Sequence, residues 1–215
     1  TYNILEAMRQ NGISKIVFSS SGTVYGETLV YPIPETYGPL FPISLYGASK
    51  LAGEALISAF CHIFDMRAWI FRFANVVGGR STHGVLFDFI HKLQRNHNDL
   101  EILGDGTQEK PYILVDDCVD GILFGLEHAN EPLNVYNLGC SGSTNVTSIA
   151  RMLVDEMGLK GVKFKYTGGN RGWRGDVPQA RFNVDKINRL GWKVRHSSDE
   201  AVREGIKRIL RELGQ

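Results

Sequence analysis

The chain has 215 residues, 43% of them hydrophobic and 22% charged, with 24 Gly and 3 Cys. That composition excludes a disordered tail, a collagen-like repeat and a disulfide-stapled miniprotein, and the length is enough to bury a real core. Lys and Arg total 24 against 23 Asp and Glu, a net charge of +1, so no general attraction to nucleic acid or to an anionic membrane is expected and a charged ligand must find a local site.

The first eleven residues set Ile4, Leu5 and Met8 at helical spacing and stop at Asn11-Gly12. A chain that opens inside a helix, with no initiator Met and no basic-then-apolar leader, reads as a piece of a longer protein. Lys15 to Ser20 is a short apolar run without helical period, the pattern of a buried parallel strand. Gly26 to Pro42, rich in Pro, Gly and Thr, reads as a surface loop. From Ser44 to Phe64 apolar residues recur at three and four, predicting a long amphipathic helix, and Arg67 to Phe73 follows as a second buried strand. Helix, strand, loop, helix, strand is half of a doubly wound α/β sheet.

Beyond it the spacing predicts a helix over Val85 to Gln94, strands at Leu100 to Leu103 and Tyr112 to Val115, and a helix from Asp117 to His128. A strand at Asn134 to Leu138 precedes a helix from a Thr147 cap to Met157 and a strand at Val162 to Tyr166. After a Gly- and Arg-rich loop from Gly168 to Gly175, Val184 to Leu190 and Ser197 to Leu213 are helical. No linker or repeat divides the chain. The expected fold class is α/β, the C-terminal part of a Rossmann-like doubly wound parallel sheet over residues 1–78, with a smaller α+β substrate-binding region over 79–215 interleaved with the last sheet elements.

Cys61, Cys118 and Cys140 are odd in number and lack a Cys-x-x-Cys pair, so they read as small, partly buried apolar residues in a reducing, cytoplasmic compartment. No apolar stretch is long enough for a membrane span. Asp116-Asp117 and the six His lack ligand spacing, and no metal is expected.

Chemistry gathers in Tyr46-Gly47-Ala48-Ser49-Lys50, which sets a phenol and an ammonium one helical turn apart on one face. An unperturbed tyrosine titrates near ~10, and a neighbouring cation favours its phenolate, which can then remove a proton from a sugar hydroxyl. The spacing alone is weak. It follows by about 25 residues the hydroxyl cluster Ser19-Ser20-Ser21-Gly22-Thr23 at a strand end, where open α/β sheets place ligands, and a strand ending Arg72-Phe73-Ala74-Asn75 comes next. With these motifs the chain resembles, along essentially its whole length, the extended short-chain dehydrogenase/reductase family, and within it nucleotide-sugar 4-epimerases of the UDP-glucose 4-epimerase type.

The resemblance implies NAD as cofactor and Ser21, Tyr46 and Lys50 as catalytic residues. Tyr46 is the base, Ser21 bonds the sugar 4-oxygen, and Lys50 binds the nicotinamide ribose and activates Tyr46. It further implies cofactor contacts at Ser19, Ser20, Phe73, Ala74 and Val76. Asn75 matches an amide on the diphosphate or sugar, Val85 and Leu86 the nucleotide pocket, and Glu101, Ile102 and Leu103 the strand beneath the uracil. Lys110 stands where most relatives carry Arg to the pyrophosphate, keeping the charge without the fork. In Arg171-Gly172-Trp173-Arg174-Gly175-Asp176 either Arg171 or Arg174 is the expected phosphate clamp, and Asp176 is expected on the ribose.

Relatives that dehydrate or decarboxylate carry carboxylates directly after the strand-end hydroxyl. Here Gly22 and Thr23 stand there, which disfavours elimination and leaves oxidation at C4, rotation of the 4-keto sugar and reduction on the other face. Ala180, at a position small in relatives that accept N-acetyl sugars, implies tolerance of those substrates. Alternatives are a reductase or dehydrogenase of the same family, or a non-catalytic relative, although the latter commonly lose the Tyr or Lys. No Gly-x-Gly-x-x-Gly turn opens a helix in these residues, since neither Gly22 to Gly26 nor Gly139 to Gly142 has the spacing. About a hundred residues of nucleotide-binding half-sheet are therefore expected ahead of Thr1 by analogy, with poor NAD binding and no epimerisation by this piece alone. The family also implies a homodimer through the helices ahead of and containing Tyr46.

Overall fold

The computed structural model describes residues 1–214. Two units emerge, both discontinuous in sequence: residues 1–74, 119–138 and 182–193 form the first, and 75–118, 139–181 and 194 onward the second. After residue 74 the chain passes between the units four more times, at 119, 139, 182 and 194, and the return at 119 brings strand Leu133–Leu138 to pair with strand Arg67–Phe73.

The first unit is built on a parallel sheet of β1 (Lys15–Ser21), β2 (Arg67–Phe73) and β7 (Leu133–Leu138) in the order β1-β2-β7. Ser21 lies level with Phe73, and Phe73 with Leu138, so the three strands end together. Helices α1 (Tyr2–Gln10) and α2 (Leu45–Phe64) cover one face, where Leu5, Met8, Ile57 and Phe60 close over Ala68 and Ile70. On the other face Phe71 packs against Gly125 of α4 (Val115–His128) and Tyr136, and Trp69 donates its indole N–H to Ala129 at 3.1 Å. Covering both faces is what makes β2 read as a continuous apolar run. β1 departs from the expected buried strand: Val17 is 41% exposed, because among the described residues β1 hydrogen-bonds β2 alone.

α2 starts where predicted, with Ser44 accepting the Gly47 N–H at 3.0 Å as its N-cap. Gly47 is required for packing: a Cβ there would lie 2.8 Å from the Thr23 carbonyl. The loop 26–42 contains no helix or long strand, as expected.

The second unit packs α3 (Val85–Arg95), α5 (Val146–Glu156) and α7 (Ser198–Glu212) around Leu100, Ile102 and Leu114. Its strands form three short pairs. β3 (Asn75–Val77) runs parallel to β6 (Tyr112–Leu114), β4 (Asp99–Ile102) parallel to β9 (Lys163–Tyr166), and β5 (Glu109–Lys110) antiparallel to β8 (Thr144–Asn145). The three strands β3, β5 and β8 are absent from the sequence reading, since two or three residues carry no period. The cap of α5 is also corrected: Asn145, not Thr147, accepts the Ser148 N–H at 2.7 Å, and the Thr147 hydroxyl donates to the Gly106 carbonyl. α7 opens with a reciprocal capping box of Ser197 and Glu200. The remaining helix, α6 (Asp185–Leu190), belongs to the first unit and packs against β7.

All three cysteines are free and buried, and burial pushes the Cys118 thiol up to about 12 and Cys140 to about 11. A thiol-reactive disulfide reagent at about pH 8 is expected to leave both unmodified in the folded chain and to titrate all the thiols after unfolding. Rapid modification of Cys118 or Cys140 in folded protein would contradict their burial. Among the described residues no helix is long and apolar enough to cross a membrane, and no cluster of three or more His, Cys, Asp or Glu is placed to hold a metal ion.

Candidate active site

In the first unit, the chain leaves the end of β1 through a 3-10 turn over Gly22–Tyr25. Ser21 caps that turn: its hydroxyl oxygen accepts the Thr23 N–H at 3.2 Å and the Thr23 hydroxyl at 3.0 Å, which holds it at the strand end with its own proton free to donate. Tyr46 and Lys50 occupy the first two turns of α2, and Tyr46 is 54% exposed. The Lys50 ammonium donates to the Ser19 carbonyl at 2.8 Å and sits 5.6 Å from the centre of the Tyr46 ring. One lysine therefore links the helix to the strand end and places a positive charge beside the phenol. Phe73 is half-buried and Ala74 buried at the end of β2, where the Ala74 N–H donates to the Leu138 carbonyl at 2.8 Å.

Ser20 lies apart from the others in kind. It is 2% exposed and its hydroxyl donates to the buried carboxylate of Glu54, so its side chain is turned inward. Glu54 in turn receives the Arg72 guanidinium through Nε at 3.1 Å and Nη2 at 2.7 Å. Burial works against the Arg72 cation, but its hydrogen bonds to Glu54 together with the charge interactions with Tyr25 and Glu54 more than offset it and hold the group above its ordinary pKa. Arg72 Nη1 also donates to the Tyr25 hydroxyl at 3.0 Å, and burial pushes that phenol up while Arg72 partly counters the rise. Sequence reading missed this network. Its signal was an Arg inside the apolar run Arg67 to Phe73 and a Glu on the packing face of α2.

In the second unit, Lys110 forms an ion pair with Asp176, whose other oxygen accepts the Gly172 N–H at 3.1 Å. Arg171 Nη1 donates to the Asp176 carbonyl at 2.9 Å, while Arg174 is exposed. The structure thus brings Lys110, Arg171 and Asp176 together and engages both Asp176 oxygens, so the expected ribose contact requires that cluster to open or share. Asn75 and Val76 are exposed in β3, with the Asn75 backbone N–H donating to the Pro111 carbonyl at 3.1 Å. Val85, Glu101 and Leu103 are accessible and Ala180 is half-buried. Leu86 at 4% and Ile102 at 0% exposure point into the core of this unit, because they fall on the inward side of α3 and β4. Their side chains belong to that core, so a ligand contact at either would run through the backbone. Gln108, 3% exposed, has neither amide atom paired, a polar group that the sequence reading also passed over.

The donor set tests well against the nicotinamide part of NAD. A fixed ammonium, a strand-end hydroxyl and a half-buried aromatic stand at the C-terminal end of a parallel sheet, where dinucleotides bind. The pyrophosphate-binding glycine turn is not among the 215 residues.

A sequence profile described as the NAD dependent epimerase/dehydratase family matches residues 1–139. A Methanocaldococcus jannaschii protein provisionally named UDP-glucose 4-epimerase is 34% identical over 98% of this chain and 66% of its own length. A crystal structure of UDP-galactose 4-epimerase superimposes with a TM-score of 0.89 at 38% identity, over 99% of this chain and 68% of the other. UDP-glucuronic acid 4-epimerase from Bacillus cereus, solved with UDP-glucuronic acid and NAD, gives 0.85 at 26% identity, over 97% and 65%. The chain spans between about half and two thirds of the first curated relatives it matches.

Proposed function

The chain belongs to the NAD dependent epimerase/dehydratase family, and from that premise we propose that it supplies the catalytic residues of a nucleotide-sugar 4-epimerase acting on a UDP-hexose. The observation that carries the reading is the pairing of Tyr46 with Lys50 on one face of α2, the lysine anchored to the strand end that also bears Ser21.

Tyr46 takes the proton from the sugar 4-hydroxyl as C4 is oxidised, and gives it back when the 4-keto sugar is reduced on its opposite face. Ser21, its oxygen already accepting from Thr23, donates its own proton to the 4-oxygen and orients it. Lys50 holds the cofactor ribose and keeps a positive charge beside the phenol. Bound beside Lys50 and Phe73, NAD would supply the hydride acceptor and donor for C4. Gly22 and Thr23 supply no carboxylate for elimination, which favours epimerase over dehydratase. Lys110 and one of Arg171 or Arg174 neutralise the diphosphate.

Residues 1–78 then serve the dinucleotide and 79–215 the nucleotide sugar. The exposed apolar side chains Ile4 of α1 and Ile63 of α2 fit a homodimer through these helices, and the three free buried thiols fit a reducing cytoplasm.

The test is interconversion of UDP-galactose and UDP-glucose by the complete protein, with added NAD+ monitored at the same time. Epimerisation with no net change in NAD+ or NADH is expected. Stoichiometric consumption of NADH would make it a reductase, and loss of water from the sugar a dehydratase. UDP-N-acetylglucosamine is expected to react as well, given Ala180; failure with that sugar while UDP-glucose turns over would remove the N-acetyl specificity alone.

A further inference from the structure

Tyr46, Lys50 and Glu54 recur every fourth residue along α2 and so form one stripe of the helix. Two members of the stripe are tied to successive residues at the end of β1: Lys50 donates to the Ser19 carbonyl, and Glu54 accepts from the Ser20 hydroxyl. Ser20 lies level with Arg72 on β2, and Arg72 lies level with Asn137 on β7, so a single row across the sheet, one residue behind the strand ends, is polar and buried.

The row is closed from above. Arg72 reaches Glu54 through Nε and Nη2, and through Nη1 the Tyr25 hydroxyl and the Glu35 carbonyl at 3.1 Å. Tyr25 donates onward to Asn137 Oδ1 at 2.7 Å, and the Asn137 N–H donates to the Glu35 carboxylate at 3.0 Å. Glu54 and Arg72 are each 6% exposed. A buried ion pair is a poor way to gain stability, since well-packed apolar residues of the same size often do as well. What it supplies is direction: bidentate geometry permits only one height of the helix over the sheet.

We propose that Glu54 and Arg72 are positioning residues for the reaction, locking α2 to the row Ser20, Arg72 and Asn137 so that Tyr46 and Lys50 stand at a fixed distance from Ser21. The proposal rests on the roles given above to Tyr46, Lys50 and Ser21.

It is tested in the complete protein with Glu54→Gln, with Ser20→Ala, which removes one tie only, and with the double variant Glu54→Leu/Arg72→Met. A 1 Å misplacement can cost two orders of magnitude in rate, so Glu54→Gln is expected to lower kcat about 10- to 100-fold per folded molecule, with KM for the nucleotide sugar within about threefold of wild type. The double variant, free of an orphaned charge, is expected to regain thermal stability without regaining kcat, and Ser20→Ala to melt several degrees below wild type with a several-fold lower kcat per folded molecule. A double variant that regains both stability and kcat, or a Ser20→Ala protein with wild-type kcat, would mean a structural role only and would overturn the proposal. Should Glu54→Gln not fold, these two variants decide the matter. Full activity in Tyr46→Phe would instead sink the functional reading beneath it.

Discussion

Replacing Tyr46 by Phe in the complete protein is expected to lower kcat by roughly 10²–10⁴, the usual contribution of a positioned acid–base group, while nucleotide-sugar affinity stays nearly unchanged. The substitution removes one oxygen from a ring that is 54% exposed, and no hydrogen bond to that oxygen is present among the described residues, so neither folding nor packing should suffer. Lys50 keeps its bond to the Ser19 carbonyl and the strand end keeps its shape. Turnover assays and calorimetric titration with the nucleotide sugar, run on the same preparation, separate the two effects. A rate within threefold of wild type would assign the proton transfer to another group; loss of binding together with rate would make Tyr46 a contact residue and not the base.

Phe71→Ala is expected to have the largest effect on stability, about 3–5 kcal/mol. Phe71 is fully buried at the centre of β2, its ring stacked on Tyr136 at 6.1 Å between centroids. Gly125 on α4 comes so close that a Cβ there would sit 2.8 Å from the ring edge. Rigid backbone on that side cannot collapse into the space left by the ring, so transfer and cavity costs add. For a chain of this size that is a fall of roughly 6–20 °C in melting temperature. Urea unfolding followed by circular dichroism measures it, and a loss below about 1 kcal/mol would contradict the packing described.

The stripe of Tyr46, Lys50 and Glu54 was only partly legible in the sequence. Tyr46 and Lys50 are four residues apart, and helical geometry alone puts them on one face. Glu54 continues the same stripe, but its meaning depends on Arg72, eighteen residues further on and in a different element. Arg72 inside the apolar run Arg67 to Phe73 is a local hint of burial, but nothing in the run names its partner. The same holds for Ser20, which in sequence is the equal of Ser19 and Ser21. Strand alternation turns it alone toward α2, and the buried carboxylate waiting there makes it a structural tie. Leu86 and Ile102, expected beside a ligand, have their side chains in the core of the second unit.

Elements long enough to show a period were readable with small errors at their ends: α2, α3, α7, β2 and β7 all stand within a residue or two of expectation. β3, β5 and β8 were not, because strands of two or three residues exist only through the partner that pairs with them. The sequence by itself determined the α/β class, the order of the long elements and the one-turn spacing of Tyr46 and Lys50, since these depend on periodicity, capping and spacing along the chain. Tertiary structure alone decided which serine is buried, that Lys110 pairs with Asp176, and that Glu54 and Arg72 join α2 to the sheet. Those choices arise between residues far apart in sequence, where burial makes an unpaired charge too costly to leave and so selects the partner.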